Sequence, residues 1–190
     1  MSKSNPLIVK YPKLSCIEKC SIFCYCDASL GNLESGKSAG GFVVFVVEND
    51  TGKLCPIMWK TKTIQRVVRS TLAAETTAAV DGLDHTFFIS RLLFGILFGN
   101  TVQKHQNGID LMPIYAFTDN DEWYRNAHSA TMVSEKRVQI DLAVIKEMLE
   151  RNELTSFKRV PAGKQLADVL TKQGSDPLKL ACVFESGKLQ

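Results

Sequence analysis

The sequence has no long uncharged apolar run and no apolar segment of the kind that opens a secretion signal. Its most apolar stretch, residues 86–98, is too short to span a bilayer and contains Arg91. We therefore expect an intracellular protein, cytoplasmic or nuclear, that is not secreted. Residues 86–98 are expected to pack in a core, although an exposed part of them could dock a partner.

Cysteine pairs with the CxxC spacing of a zinc knuckle are also missing. Cys16, Cys20, Cys24 and Cys26 are crowded, but three, three and one residues separate them. Cys24 and Cys26 alternate within "SIFCYCD", which predicts a strand that carries both thiols on one face. We expect free thiols and no metal at these cysteines.

Internal repeats and low-complexity segments are absent, and 190 residues suit one well-cored domain better than two. The sequence predicts a leader or linker at residues 1–19, a domain at 20–175 and a C-terminal tail at 176–190. The net charge of +3 identifies no partner. However, residues 60–69 and 157–164 carry lysine and arginine without any acid, as phosphate-binding segments or solvated loops do.

Hydrophobic patterning predicts an α/β fold. Strands are expected at residues 21–29, 40–49, 53–61, 112–120 and 154–160, and helices at 71–97, 121–129, 135–152 and from 164 onward. Ser70 is the candidate N-cap of the long helix, which Gly82 or Gly95 could interrupt. Short loops make the first three strands an antiparallel meander, and helices before strands 4 and 5 allow these to add in parallel. The result is a mixed five-stranded sheet flanked by helices.

Four acids stand at the ends of these elements, where a site can form: Asp27, Glu75, Asp119 and Asp168. Each alone could be an ordinary turn, surface or capping residue. Together they could meet at one edge of the sheet, because the alanines around Glu75 let its helix approach closely. Clustered carboxylates repel one another unless cations neutralise them. Oxygen ligands suit Mg²⁺ or Mn²⁺, and a pair of such ions is the usual clamp for phosphodiester hydrolysis.

Four motifs carry a family resemblance: "YCDAS", "RSTLAAET", "FTDN" and "QLADVLTK". In this order and spacing they resemble the ribonuclease H domain of copia-type LTR retrotransposon polyproteins, over most of the chain from about Cys20. The resemblance implies a ribonuclease H-like fold that cleaves the RNA strand of RNA·DNA hybrids with two Mg²⁺ ions, for which Mn²⁺ could substitute. The family's catalytic and metal-binding acids match Asp27, Glu75, Asp119 and Asp168.

The resemblance also implies partners. The substrate would be an RNA·DNA hybrid, and the reverse transcriptase domain of a parent polyprotein, within a retroelement particle, is a candidate partner of an otherwise monomeric chain. Candidate contacts to nucleic acid are polar and basic residues near the acids: Ser29, Ser70, Thr71, Asn120, Lys62, Arg69 and Lys164.

The sequence departs from cellular ribonucleases H at one point, and two alternative functions remain open. Residues 159–168 contain no histidine, whereas cellular ribonucleases H carry one before the last acid, so turnover could be slow. A domesticated, inactive ribonuclease H-like domain that binds nucleic acid or protein is the alternative, although retention of all four acids argues against it. Integrases and transposases of the same superfold place the glutamate last, whereas here Glu75 is second.

Overall fold

The structure, a computed structural model, describes residues 7–34, 36–99, 112–129 and 133–189. The strands are β1 (Cys20–Ser29), β2 (Ala39–Glu48), β3 (Leu54–Thr63), β4 (Ile114–Thr118) and β5 (Ser156–Arg159). The helices are α1 (Thr71–Phe98), α2 (Asp121–His128), α3 (Lys136–Glu150), α4 (Asp168–Thr171) and α5 (Leu178–Ser186). No helix in these ranges is long and apolar enough to cross a membrane.

The five strands form one sheet in the order β3-β2-β1-β4-β5. The pairs β1–β2 and β2–β3 are antiparallel, and β4 is parallel to both β1 and β5. The predicted mixed sheet is therefore confirmed. Both faces of the central strands β1 and β2 are covered, so nearly every residue of these strands is buried.

Helices α1, α2 and α3 pack on one face of the sheet. Cys24 and Cys26 lie side by side on that face, with their sulfurs 3.3 Å apart, and all six cysteines are free thiols. A Cβ atom at Gly82 of α1 would lie 2.7 Å from the sulfur of Cys26. Gly82 therefore allows close packing between helix and sheet, and it does not interrupt the helix.

Helix α1 begins as the sequence predicts. The hydroxyl of Ser70 accepts a hydrogen bond from the backbone N–H of Ala73 at 3.1 Å, which caps the first turn. The helix then continues without a break through Gly82 and Gly95. Its first half is buried, but its second half is not wholly core: Phe88, Leu92 and Ile96 are 67%, 49% and 70% exposed. For this part of residues 86–98 the expectation of core packing is wrong.

Helices α4 and α5 cover the other face of the sheet. Phe184 and Val183 of α5 pack there against Phe45 of β2. The backbone N–H of Lys10 donates to the carbonyl of Phe184 at 2.9 Å, so the segment before β1 lies beside α5.

The helix predicted from residue 164 is much shorter than expected. A 3₁₀ turn covers Ala162–Lys164, and α4 begins only at Asp168 and ends after Thr171. Gln165 lies between these segments in an extended conformation, because its buried side chain bonds to the backbone of the sheet and of Ala167. Asp168 is therefore the first residue of α4 and does not lie within a longer helix.

Candidate metal centre at the ends of two parallel strands

Two of the four acids are neighbours because their strands are parallel and in register. Tyr25 of β1 pairs with Phe117 of β4. Asp27 follows Tyr25 by two residues, and Asp119 follows Phe117 by two residues. One carboxylate oxygen each from Asp27, Asp119 and Asp168 lies within 4.8 Å of the others. The structure thus brings three of the four predicted acids into one cluster.

Asp168 reaches the cluster because α4 lies directly on the sheet. Gly41 of β2 is the cross-strand partner of Asp27. A Cβ atom at Gly41 would lie 2.9 Å from Leu170 Cβ and 2.9 Å from Thr171 Cγ2, so only glycine permits this approach. The Thr171 hydroxyl also donates a hydrogen bond to Asp27. The absence of a side chain at Gly41 and the hydrogen bond from Thr171 to Asp27 therefore position α4 and, with it, Asp168.

The segment before α4 is fixed by Gln165, which sequence reasoning missed. Its side chain is fully buried, and its amide nitrogen donates to the carbonyl of Cys26 at 2.9 Å. Its amide oxygen accepts from the backbone N–H of Ala167 at 3.2 Å. Gln165 thus joins the end of β1 to the residue that precedes Asp168. A polar residue in "KQLAD" carries no sequence signal for such a role.

Glu75 lies beside the three aspartates and outside their tight oxygen cluster. It is 5% exposed on α1, among the buried residues Ala74 and Ala78. Asn120 lies near Glu75, and its side-chain oxygen caps α2 by accepting from Trp123 N at 2.9 Å. The N-cap of α2 is thus Asn120, and Asp119 is left free for the cluster.

Burial and repulsion between carboxylates disfavour the ionised forms of Asp27 and Glu75. Burial raises the pKa of Asp27 to about 6, although the Thr171 hydrogen bond and the charge of Lys172 act in the opposite direction. Burial, followed by the charges of Asp27 and Asp119, raises the pKa of Glu75 well above its usual range. The cluster therefore favours any cation that can reach it.

A lysine that the sequence reasoning did not single out already lies among the acids. The Lys172 ammonium nitrogen is 2.6 Å from Asp168 Oδ1, 3.1 Å from Asp27 Oδ1 and 3.7 Å from Asp119 Oδ2. Burial lowers the pKa of Lys172, but its hydrogen bond to Asp168 and the nearby carboxylate charges raise that pKa overall. The available sequence signal was its position four residues after Asp168, where helical side chains meet.

The donor set fits a hard divalent cation. All of the clustered ligand atoms are carboxylate oxygens, which Mg²⁺ and Mn²⁺ prefer. Asp27 Oδ1 is buried and accepts no hydrogen bond from the described part of the chain. It has the ionic contact with Lys172, which does not have the angular geometry of a hydrogen bond. A buried carboxylate oxygen in this state suits coordination to a cation.

The predicted polar contacts to nucleic acid lie around the cluster but differ in accessibility. Ser29 ends β1 and is buried, and its hydroxyl has no hydrogen-bond partner among the described residues. Ser70 is occupied as the N-cap of α1, and Thr71 beside it is exposed. Asn120 is engaged as the N-cap of α2. Thr71 is thus the most accessible polar candidate.

Among the predicted basic contacts, Lys62 lies in an ion pair, with its nitrogen 2.5 Å from Asp81 Oδ1. Lys164 is exposed in the 3₁₀ turn before α4, and Arg69 is exposed before the N-cap of α1. Arg69 also lines a cleft of about 500 Å³ between the starts of α1 and α3, together with Val67, Ser134, Glu135, Lys136 and Arg137. The contribution of Lys136 and Arg137 to this basic cleft was missed.

Comparison with known proteins identifies the fold of this chain. No family model matches the sequence, and no curated protein matches it. Among solved structures, ribonuclease H1 of Halobacterium salinarum NRC-1 is 18% identical, with a TM-score of 0.51, over 80% of this chain and 94% of that one. The chain has a ribonuclease H-like fold.

Two further solved structures are similar to this chain over most of its length. LC11 ribonuclease H1, isolated from compost by a metagenomic approach, is 16% identical with a TM-score of 0.52, over 80% of this chain and 92% of that one. A foamy viral protease-reverse transcriptase in complex with an RNA/DNA hybrid is 17% identical with a TM-score of 0.54, over 90% of this chain and 22% of that one. At these identities the similarity shows the fold alone.

No histidine lies in the segment of this ribonuclease H-like fold that leads to Asp168, residues 159–168. The two described histidines bond to their own helices: Nδ1 of His85 lies 2.7 Å from Asp81 O, and Nδ1 of His128 lies 2.9 Å from Tyr124 O. His105 lies outside the described residues.

Proposed function

We propose that this protein is a metal-dependent endonuclease that hydrolyses the RNA strand of RNA·DNA hybrids, as the ribonuclease H domain of a retrotransposon-derived polyprotein. The observation that carries the proposal is the meeting of Asp27, Asp119 and Asp168 within 4.8 Å at the ends of two parallel strands, with Glu75 buried beside them. The ribonuclease H-like fold supports it, because solved structures of similar fold include ribonucleases H1.

Asp27, Glu75, Asp119 and Asp168 are proposed to hold two Mg²⁺ ions, for which Mn²⁺ would substitute. Such ions supply Lewis-acid chemistry: they lower the pKa of water and stabilise negative charge on a leaving oxygen. Asp27, the most deeply buried acid, would contact both ions. Glu75 and Asp119 would hold one side of the site and Asp168 the other.

The chain's own residues keep these carboxylates in place before any substrate arrives. Thr171 orients Asp27, and Gln165 fixes the segment that carries Asp168. Pre-oriented ligands reduce the reorganisation that the reaction requires. The site is therefore suited to hydrolysis at a fixed position in the backbone of a bound nucleic acid.

The substrate would lie across the strand ends and along the starts of α1 and α3. Arg69, Lys136 and Arg137 give the cleft there a positive lining that suits a phosphate backbone. RNA would be distinguished from DNA through its 2′-hydroxyls, which are both donors and acceptors. Predicted contacts close to the acids are Ser29, Ser70, Thr71, Asn120, Lys62 and Lys164.

The test is cleavage of a hybrid whose RNA strand or DNA strand carries the label, with Mg²⁺, with Mn²⁺ and with EDTA. We expect cleavage of the RNA strand alone, in either metal ion and not in EDTA. Asp27→Asn should lower the rate of cleavage by about 100-fold or more, because the carboxylate charge that would contact both ions is lost while the side-chain shape is kept. An intact hybrid after incubation of folded wild-type protein with both metal ions would refute the enzymatic proposal.

A second candidate is a binding module that does not cleave. The observation that favours it is Lys172, whose ammonium lies where divalent cations would sit. If that lysine is permanent, the protein would bind the hybrid through its basic cleft and leave both strands intact. Hybrid binding that is unaffected by metal ions, without cleavage, would support this candidate.

A further inference from the structure

We propose that Lys172 is an exchangeable internal cation, which occupies the acidic cluster when no metal ion is bound and competes with divalent ions for the same oxygens. The inference rests on the metal site of the proposed function. It adds a residue that sets how tightly that site binds its ions. In this proposal the ammonium leaves the cluster when metal ions bind. In the second candidate function it stays there permanently.

The position of Lys172 is specific to the three aspartates. Its ammonium approaches Asp168 Oδ1 and Asp27 Oδ1 at 2.6 and 3.1 Å, and Asp119 Oδ2 at 3.7 Å. These are the same three side chains whose oxygens converge within 4.8 Å. A divalent ion bound by them would therefore meet the ammonium at short range, where like charges repel strongly in a partly buried site.

Charge balance also indicates that the carboxylates are neutralised either by Lys172 or by the divalent ions, and not by both. Two divalent ions would neutralise the charges of Asp27, Glu75, Asp119 and Asp168 without help from a lysine. Without ions, the aspartates need another cation, because unpaired buried carboxylates are costly. Lys172 meets that need, and Lys179 assists from α5, with its nitrogen 3.6 Å from Asp168 Oδ2.

Lys172 has a route out of the cluster. It follows the last residue of α4, and its side chain is 37% exposed, whereas Asp27 is fully buried. The ammonium can therefore swing into solvent by side-chain rotation, while the backbone of α4 stays on the sheet. No such movement is open to Asp27, which Thr171 holds in place. The lysine is the mobile partner and the carboxylates are the fixed ones.

The test is Mn²⁺ affinity of the full chain without nucleic acid, measured by calorimetry at fixed pH and ionic strength. Lys172→Met removes the charge and keeps an unbranched side chain, and we expect it to bind Mn²⁺ about tenfold more tightly than the wild type. Lys172→Arg keeps the competing charge and should stay near the wild-type affinity. Lys19→Met removes one charge from the exposed ion pair with Asp50 before the start of β1, so it controls for net charge and should change the affinity by less than about twofold.

Thermal denaturation separates competition from simple stabilisation. In EDTA, Lys172→Met should unfold at a lower temperature than the wild type, and saturating Mn²⁺ should remove that difference. A purely structural lysine would leave the same difference with and without Mn²⁺. That result, or an unchanged or weaker affinity for Mn²⁺ in folded Lys172→Met, would overturn the inference.

The outcomes also distinguish this inference from the proposed function. If the wild type binds Mn²⁺ and cleaves the hybrid while Lys172→Met binds Mn²⁺ no more tightly, the inference alone fails. If neither protein binds Mn²⁺, the metal-dependent function fails and the inference fails with it. Tighter binding by Lys172→Met, with Lys172→Arg unchanged, supports the inference whether or not hybrid is cleaved.

Discussion

The hydroxyl of Thr171 donates a hydrogen bond to the carboxylate of Asp27, although 144 positions separate the two residues in the sequence. This contact joins α4 to β1 at the centre of the candidate site. Asp168 lies on the same short helix, so the position of one acid depends on a bond to another. Helix α4 has only four residues and cannot hold its position by its own hydrogen bonds.

The first prediction concerns that hydroxyl. Thr171→Val keeps the shape of the side chain and removes the donor, so it should destabilise the metal-free protein by about 1–3 kcal/mol. Hybrid cleavage should fall by about tenfold, because Asp27 loses the bond that orients it. Thr171→Ser retains the donor and is the matched control. Urea unfolding and initial cleavage rates measure both effects, and equal values for Val and Ser would show that the hydrogen bond is unimportant.

The second prediction concerns the space beneath α4. Gly41→Ala places a methyl group 2.9 Å from Leu170 Cβ and Thr171 Cγ2, which must shift α4 away from the sheet. We expect a loss of stability of about 1–3 kcal/mol, as overpacking typically causes, and cleavage reduced by about tenfold or more. No acid is altered by this change.

Gly163→Ala is the control for Gly41→Ala. A Cβ atom at Gly163 would meet nothing within 4 Å, although this residue lies in the turn that leads to α4. Its stability and cleavage rate should match the wild type. If Gly41→Ala behaved in the same way as Gly163→Ala, the close approach of α4 would not matter for the site.

The third prediction concerns pH. The pKa of Asp27 rises from 3.8 to about 6 on folding, so the folded state binds a proton that the unfolded state releases between these values. Stability from this group is therefore present at low pH and is lost as pH rises from about 4 through 6. In EDTA, Asp27→Asn should remove this loss and should be more stable than the wild type at pH 7.5, by about 2–3 kcal/mol at most.

The measurement is chemical denaturation of both proteins in EDTA at pH 4.5 and pH 7.5. Taking the difference between the two proteins cancels every other titrating group that is unaffected by the substitution. A difference that does not change with pH would contradict the raised pKa. A more stable but inactive Asp27→Asn would show that the acidic site is held at a cost in stability, as functional sites often are.

Much of the fold was accessible from the sequence, because the relevant signals are local. The alternation in "SIFCYCD" and the run of valine and phenylalanine at residues 42–47 predict strands, and Ser70 is a recognisable helix cap. Two acids near the carboxyl ends of neighbouring parallel strands lie at the same edge of the sheet, so the closeness of Asp27 and Asp119 followed from the topology. Their proposed roles stay predictions.

The rest depends on contacts between distant segments, which leave no periodic pattern. Gln165 bonds to Cys26, and Lys172 meets three acids, only after the sheet and α4 are assembled. The length of α4 was overestimated for the same reason: the apolar spacing of Leu166, Val169 and Leu170 suits a helix, but the bonds of Gln165 keep residues 165–167 out of it. Tertiary contacts outweighed local propensity here.

The central claim is that the acidic cluster performs the hydrolysis, and two aspartates beside the N-cap of α2 test it most directly. Asp119 belongs to the cluster, whereas Asp121, two residues later, is half-exposed and pairs with Arg159 at 2.6 Å. We measure the initial rate of RNA cleavage in a labelled hybrid, in Mg²⁺ and in Mn²⁺, for the wild type, Asp119→Asn and Asp121→Asn. The account predicts a loss of about 100-fold or more for Asp119→Asn and a rate within about threefold of the wild type for Asp121→Asn. Equal rates for the two variants would contradict it.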